Sequence, residues 1–325
     1  MDVTEVDALR AVTRNDPMAV ARGLSAARLW GMPLPFTKQT WSASRTPEPD
    51  PWAEPDPWAE PAPTPEPAPE PDPDPVHLTA NGYRRQSNKL LTWNRQRIRS
   101  EDIVTHRGVR VTSRVRTWID LAQELTLDEL VEIADHLVRQ PRPEYEGRFD
   151  PYATPADLRD AVRQYRGSGR PMLRKVLDLT RVGSDSPMET RLRLAIIRGG
   201  LPEPVLNQRL VVEGNDLYEP DMCWPEWKVC LEHDGAGHRT KKQQNLDIQR
   251  REKREALGWI EVQTVAADLR NGCERALRRL RDVLTRRGWH PPLAVSGPVI
   301  RPLTESGARA NAPSSEPASA ERSIR

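Results

Sequence analysis

The sequence predicts an α/β protein, with strands and helices alternating in its last third and a smaller α/β region before it. Two observations carry this. Short β-branched and apolar runs bounded by Gly, Pro, Asn and Asp alternate with helical periodicities that open on Ser or Thr caps. A proline-rich acidic stretch also separates a short N-terminal segment from everything that follows. At 325 residues the chain has room for two domains, yet its 37% hydrophobic content is low for one globule throughout.

The N-terminal segment, residues 1–45, is predicted to hold one helix from Pro17 to Trp30, stopped at Gly31-Met32-Pro33 and too short to fold alone. Residues 46–76 read as a disordered linker. Thirteen of the thirty residues from Thr46 to Pro75 are proline, nine are acidic and none is basic, and Pro-Asp-Pro-Trp-Ala-Glu occurs in tandem at 49–54 and 55–60. Proline fixes φ and lacks a donor while like charges repel, so this stretch is expected to be extended. Residues 291–325, rich in Ser, Ala, Pro and Arg, read as a disordered tail.

The net charge of +2 conceals an asymmetry, because the nine carboxylates of the linker leave the remainder at +11. Such a balance favours a polyanionic partner. The longest apolar runs, such as Leu194–Ile197, fall far short of a bilayer span, and the chain opens with acidic residues. A soluble cytoplasmic protein with no membrane partner is therefore expected. Cys223, Cys230 and Cys273 read as reduced thiols, too few and too late for a disulfide framework.

Residues 77–180 are predicted to be an α/β accessory domain. Strand-like runs at Lys89–Trp93 and Val109–Thr112 precede helical patterns at Val115–Leu125 and Leu127–Arg139, the latter with Thr126 and Glu129 in capping-box spacing. Thr154-Pro155-Ala156-Asp157 opens a further helix, and Gly167 and Gly169 separate it from Pro171–Thr180. This region shows no catalytic constellation.

Residues 181–290 carry the chemistry. Ser186-Pro187-Met188-Glu189 combines a cap, a proline at the first helical position and a glutamate able to reach back. Met188, Leu192, Ala195 and Ile196 then form an apolar stripe up to Gly199-Gly200. Two strands, Leu206–Glu213 and Leu217–Trp224, flank a Gly214-Asn215-Asp216 turn, and a third runs from Lys228 to His233. If Glu226 and Trp227 form a two-residue loop, Asp221 faces Glu232 and Cys223 faces Cys230. Opposed like charges destabilise a sheet, so the pair invites a cation, and hard oxygen donors suit Mg²⁺ or Mn²⁺. Zinc at Cys223, Cys230, His233 and His238 is the weaker alternative, since the cysteines lack knuckle spacing and His233 points to the opposite face. A polar helix at Thr240–Leu257, closed by Gly258, and a strand Trp259–Val265 follow.

Within residues 185–288 the chain resembles a bacterial endonuclease-domain family related to very-short-patch-repair endonucleases, of the PD-(D/E)XK class. The matching residues are Ser186-Pro187-Met188-Glu189-Thr190, Gly200-Leu201-Pro202, Asp221 with Trp224-Pro225-Glu226, Glu232-His233-Asp234-Gly235 with His238, Asp247 with Arg250, and Gly258-Trp259. The resemblance implies a restriction-endonuclease-like mixed sheet flanked by helices. It further implies that Asp221 and Glu232 bind metal, Glu189 supports them from the first helix, and His238 lies near the site. Leu24–Gly31 and Thr112–Ala122 are similar to an accessory region of the AbiEi-like antitoxin family, without the winged-helix start of that family. Two departures bear on chemistry. Asp234 stands where such enzymes carry lysine, leaving His238, Lys241 or Lys242 to supply a cation, and Gln263 stands where relatives often have arginine.

The expected function is metal-dependent hydrolysis of DNA, with Glu189, Asp221, Glu232, Asp234 and His238 at the catalytic site and Lys241, Lys242 and Arg250 on the nucleic acid. A homodimer is left open. The rival is a non-catalytic nucleic-acid-binding or antitoxin-like regulator that retains the fold. Plainer roles stand beside these assignments. Glu189 is fully explained as a capping residue, Asp221 and Glu232 as exposed edge carboxylates, and His238 as a solvated loop residue. Asp247 with Arg250 suits a surface ion pair, and Cys273–Arg287 an amphipathic helix with a basic outer face.

Overall fold

Thr4 and Asp7 form a reciprocal capping box that starts α1 (Glu5–Asn15), a helix beyond those expected, which buries Leu9 and Thr13. The computed structural model of the protein describes residues 4–39, 74–234 and 241–291, without the side chains of Phe36 and of residues 241–245. Residues 46–73 of the expected linker, the tail from 292 and His238 therefore lie outside the described residues, whereas Val76, placed at the linker's end, is buried and begins a strand.

The helix expected over Pro17–Trp30 is instead a strand, β1 (Val20–Ala21), followed by α2 (Gly23–Trp30). Arg22 is extended and Gly23 takes φ +54°, a left-handed turn that glycine adopts without strain. Two residues are too few to show strand periodicity, and only their pairing on both sides makes them a strand. After α3 (Phe36–Gln39) come β2 (Val76–Thr79), β3 (Leu91–Asn94), β4 (Ile103–His106) and β5 (Val109–Thr112). They form a mixed sheet in the order β3-β2-β1-β5-β4. The N-terminal segment thus supplies the middle strand, antiparallel to β2 and parallel to β5. The β4–β5 hairpin closes through Arg107-Gly108, both at positive φ.

The helices α4 (Arg114–Asp120), α5 (Leu127–Val138), α6 (Pro143–Glu146), α7 (Pro155–Gln164) and α8 (Arg170–Leu179) follow. Thr126/Glu129 forms the expected capping box, and Thr154/Asp157, at an expected helix start, forms another. The N-terminal segment and the start of α4 meet. Trp30 Nε1 donates to Thr112 O at 2.8 Å, and the Arg22 guanidinium reaches buried Asp120 at 3.3 Å.

The last part runs through α9 (Pro187–Arg198), β6 (Val205–Leu206), β7 (Val211–Val212), β8 (Asn215–Asp216), β9 (Met222–Trp224), β10 (Val229–Asp234), α10 (Lys241–Ala256), β11 (Ile260–Val265) and α11 (Glu274–Arg286). Its mixed sheet has the order β11-β10-β9-β6, with β10–β11 parallel and the other pairs antiparallel. The two long strands expected at Leu206–Glu213 and Leu217–Trp224 are each broken, at Asn207 and Tyr218, which take positive φ. Val211–Val212 of the first instead pairs with Asn215–Asp216, which were expected in the turn, as the separate β7–β8 hairpin, and the two-residue turn is Glu213-Gly214. One sheet face packs Met222, Trp224, Val229 and Leu231 on residues of α9 and α11. The other packs Cys223 and Cys230 on Leu210, Leu217 and Trp259. Among the described residues no helix is long and apolar enough to cross a membrane.

Helix α9 serves two cores, because Leu194 belongs to the cluster of α4, α5, α7 and α8 while Leu192 and Ile196 belong to the C-terminal one. Between them Arg193 and Asp135 form an ion pair of 2.8 Å with almost no exposed side-chain surface. Asp135 also accepts from Thr190 Oγ1 at 2.9 Å and from Arg181 N at 2.7 Å. Removing one member of such a pair strands a buried charge. Arg193→Ala and Asp135→Ala are therefore each expected to lower the unfolding free energy by about 3–5 kcal/mol. A paired Asp135→Leu, Arg193→Met replacement should cost less than either. Denaturant titration checks both, and a change below 1 kcal/mol in the single variants would contradict the assignment.

Candidate acidic site

The site lies at one end of the C-terminal sheet. The β9–β10 ladder pairs Trp224 with Val229, Cys223 with Cys230 and Met222 with Leu231, which is the register expected. The turn differs. Pro225–Trp227 form a 3₁₀ turn and Lys228 is left-handed, so four residues lie between the paired positions where two were expected. The ladder ends at Met222, and Asp221 extends the same register by one position toward Glu232. There the Asp221 carboxylate turns to the backbone of the facing strand, and its Oδ2 accepts from His233 N at 2.6 Å.

Glu189 reaches this corner from the first turn of α9. Ser186 Oγ caps Glu189 N, but the Glu189 carboxylate passes over the cap backbone and accepts from Asp185 N at 2.9 Å. It also accepts from Asn207 Nδ2 at 2.6 Å, and Asn207 N donates to Asp221 O at 3.0 Å. The left-handed break at Asn207 therefore ties helix to strand. Arg142 holds Asp185 through its Nε at 2.7 Å and lies 3.7 Å from Glu219.

Burial and the neighbouring charge of Glu189 push Asp221 up to about 7, against the bond from His233 N. Burial and the charge of Asp221 push Glu232 up to about 7, against the pull of Arg254. Glu189 is raised by burial. Like charges in a poorly solvated corner disfavour ionisation of each.

The residue that sequence reading missed is Arg254 on α10. Its guanidinium is buried, with Nη1 2.6 Å from Glu232 Oε1 and 2.7 Å from Glu261 Oε2, while Nε donates to Leu217 O at 3.1 Å. Arg254 lies four residues after Arg250 and seven after Asp247, one helical stripe whose inner end was the available signal. Through Glu261, which also accepts from Gln263 Nε2 at 3.2 Å, it is linked to Gln263, the strand position opposite Glu232.

The other expected residues fall elsewhere. Asp234 ends β10 opposite Val265, two residues beyond Glu232. Arg250 is about half exposed, with its guanidinium 5.0 Å from the Tyr218 ring and 3.5 Å from Asp247, and so lies beside the hairpin instead of the carboxylates. The side chains of Lys241 and Lys242 are not among those described. Cys223, Cys230 and Cys273 are free and buried, and burial pushes the first two thiols up to about 12, which makes them poor zinc ligands.

Among the described residues no three His, Cys, Asp or Glu side chains gather as a metal-holding group. What the corner offers is two carboxylates. Asp221 Oδ1 and Glu232 Oε2 make no hydrogen bond among the described residues, since Oδ2 serves His233 and Oε1 serves Arg254. Two hard oxygen donors with acid in excess fit Mg²⁺ or Mn²⁺, which retain several waters.

The chain is 25% identical over 175 residues to two uncharacterized proteins of Mycobacterium tuberculosis, from strains CDC 1551 / Oshkosh and ATCC 25618 / H37Rv. The match covers 53% of this chain and 61% of each relative, so it spans about three fifths of their length. No protein-family model and no solved structure matches the chain.

The raised carboxylates set a pH dependence. Asp221 and Glu232 have ordinary values of 3.8 and 4.5 and rise to about 7 on folding, so the folded state keeps protons that the unfolded chain has released. Their contribution to stability is fully present below about pH 4, is lost as pH rises to about 7, and stays lost above it. In EDTA, Asp221→Asn should flatten this fall, because one titrating group and its repulsion on Glu232 are gone. Equal slopes for variant and wild type in thermal unfolding between pH 4 and 7 would show that folding does not raise Asp221.

Proposed function

We propose that the C-terminal sheet is a restriction-endonuclease-like domain that hydrolyses DNA phosphodiester bonds with Mg²⁺ or Mn²⁺. The observation that carries this reading is the convergence of Asp221, Glu232 and Glu189, from two strands and a helix, in a corner where each is held above its ordinary pKa. Such perturbed clusters concentrate at functional sites. A helix, three antiparallel strands, a second helix and a parallel strand support the mixed, helix-flanked sheet that the resemblance implies.

Asp221 and Glu232 would hold the ion. When bound, it polarises a phosphate oxygen and lowers the pKa of a coordinated water. The chain's own groups position the carboxylates. His233 N orients Asp221, Asn207 joins Glu189 to the Asp221 backbone, and Arg254 keeps Glu232 and Glu261 from repelling each other. With Asp234 in the place of the customary lysine, Arg254 is the described cation nearest the pair.

A second reading rests on that same arginine. A guanidinium 2.6 Å from Glu232 partly neutralises the carboxylate that the ion would use, and this favours a nucleic-acid-binding regulator without cleavage. The two readings separate in one experiment. Plasmid DNA is incubated with the full chain across Mg²⁺ and Mn²⁺ concentrations, and unfolding is followed under the same conditions. The nuclease reading expects nicking or cutting that falls about 100-fold or more in Asp221→Asn and Glu232→Gln. It also expects wild type, but not Asp221→Asn, to gain about 2.7 kcal/mol of stability at 100 times the metal Kd. Residual cutting equal in wild type and both variants, with identical metal responses, would leave the regulator reading.

A further inference from the structure

The sheet of β1–β5 carries a second charged surface, opposite in sign to the acidic corner. Residues 83–99 contain Arg84, Arg85, Lys89, Arg95, Arg97 and Arg99 and no acidic residue. They form the β2–β3 connection, the edge strand β3 and its exit. Two of these arginines are neutralised locally. Arg85 reaches Asp16 at 3.1 Å, and Arg99 pairs with Glu101 and Asp102, both at 3.2 Å. The side chains of Arg84, Arg95 and Arg97 are exposed and make no hydrogen bond or ion pair among the described residues.

Arg95 and Arg97 line a surface cleft of about 410 Å³ together with Asn81, Gly82 and Tyr83. Tyr83 is 59% exposed, so its ring is open to a ligand. The cleft is held open by the backbone. Asn81 is left-handed at φ +46° and its Oδ1 accepts from Ile98 N at 2.9 Å, which ties the start of the connection to the exit of β3, while Gly82 turns at φ +98°. Ile98 itself is buried, so the tie has an anchor in the core. Two uncompensated guanidiniums beside one open aromatic face suit a ligand that has both negative charge and a flat ring.

We propose that this cleft binds one unpaired nucleotide of a single-stranded nucleic acid, its base on the Tyr83 ring and its phosphates at Arg95 and Arg97. A base within a duplex has both faces covered by its neighbours and offers none to Tyr83. An unpaired base is free to stack, and its flanking phosphates meet the forked donors. The inference does not depend on cleavage, because it rests on different residues in a different sheet.

The test is fluorescence anisotropy with the full chain in EDTA, where no metal-dependent cutting intervenes. The probes are a labelled 20-nucleotide single strand and the duplex of the same sequence, each read over a range of salt concentrations. Wild type should bind the single strand more tightly than the duplex. Arg95→Ala with Arg97→Ala should weaken single-strand binding about tenfold or more and reduce the slope of log K against log salt by about 1.4, for two phosphate contacts at about 0.7 each. Tyr83→Ala should weaken the single strand by about tenfold and the duplex little, and Tyr83→Phe should restore binding. All these side chains are exposed, so unchanged circular dichroism and melting temperature are expected. Single-strand affinity within twofold of wild type in the double arginine variant would overturn the proposal. So would equal losses on both probes in Tyr83→Ala. Failure here with Asp221-dependent cutting intact would remove this inference and leave the nuclease reading standing, and the converse result would do the opposite.

Discussion

The fold turns on a carboxylate and a guanidinium with almost no exposed surface, Asp135 on α5 and Arg193 on α9. Neither charge is tolerable alone in that environment, and burial by itself raises Asp135 while Arg193, Arg181 N and Thr190 pull it back. Their pairing fixes how α9 lies against α5. Since α9 also carries Leu192 and Ile196 into the C-terminal core and Leu194 into the helical one, the same contact sets the relation between the two cores. It also sets Glu189, one helical turn before Arg193, at the end of the sheet.

The acidic corner is built from breaks in regular structure. Asn207 and Tyr218 leave the strand conformation and divert the chain into the β7–β8 hairpin, and the β9–β10 ladder ends one position short of Asp221. Had the ladder continued, Asp221 and Glu232 would face each other as an ordinary pair of edge carboxylates. Instead Asp221 bonds the His233 backbone, Glu189 enters through Asn207, and Arg254 comes from α10 on the far side to share Glu232 with Glu261. The corner is consequently more acidic than a single ladder pair and is partly neutralised by one buried arginine. Under the nuclease reading proposed here, Arg254 would compete with a divalent ion for Glu232, a matter of local electrostatics and not of fold.

Charge is segregated over the molecule. Carboxylates converge at the end of one sheet while uncompensated arginines line the edge of the other, and the small net charge of +2 hides both. A polyanion would be drawn to one surface and repelled by the other unless a cation intervened at the acidic corner.

Local chemistry was legible directly from the residues. The capping boxes at Thr126 and Thr154, the helix start at Ser186-Pro187 and the 224–229, 223–230 and 222–231 pairing all follow from short-range rules, because caps and turns act over three or four residues. The facing of Asp221 and Glu232 was legible too, through the strand register of the 222–231 pair. What needed the tertiary structure is whatever depends on partners distant in sequence. Val20–Ala21 is a strand only because β2 and β5 pair with it, and the apparent helix over Pro17–Trp30 gives way to those hydrogen bonds. Arg254 sits within a run of charged residues that reads as a solvated helix face, and only the packing of α10 over the sheet turns it inward, onto Glu232 and Glu261. Periodicity reports which face of a helix is apolar. It carries no information on a buried polar residue whose compensation comes from another element, and Arg193, Arg254 and Asp135 are all of that kind.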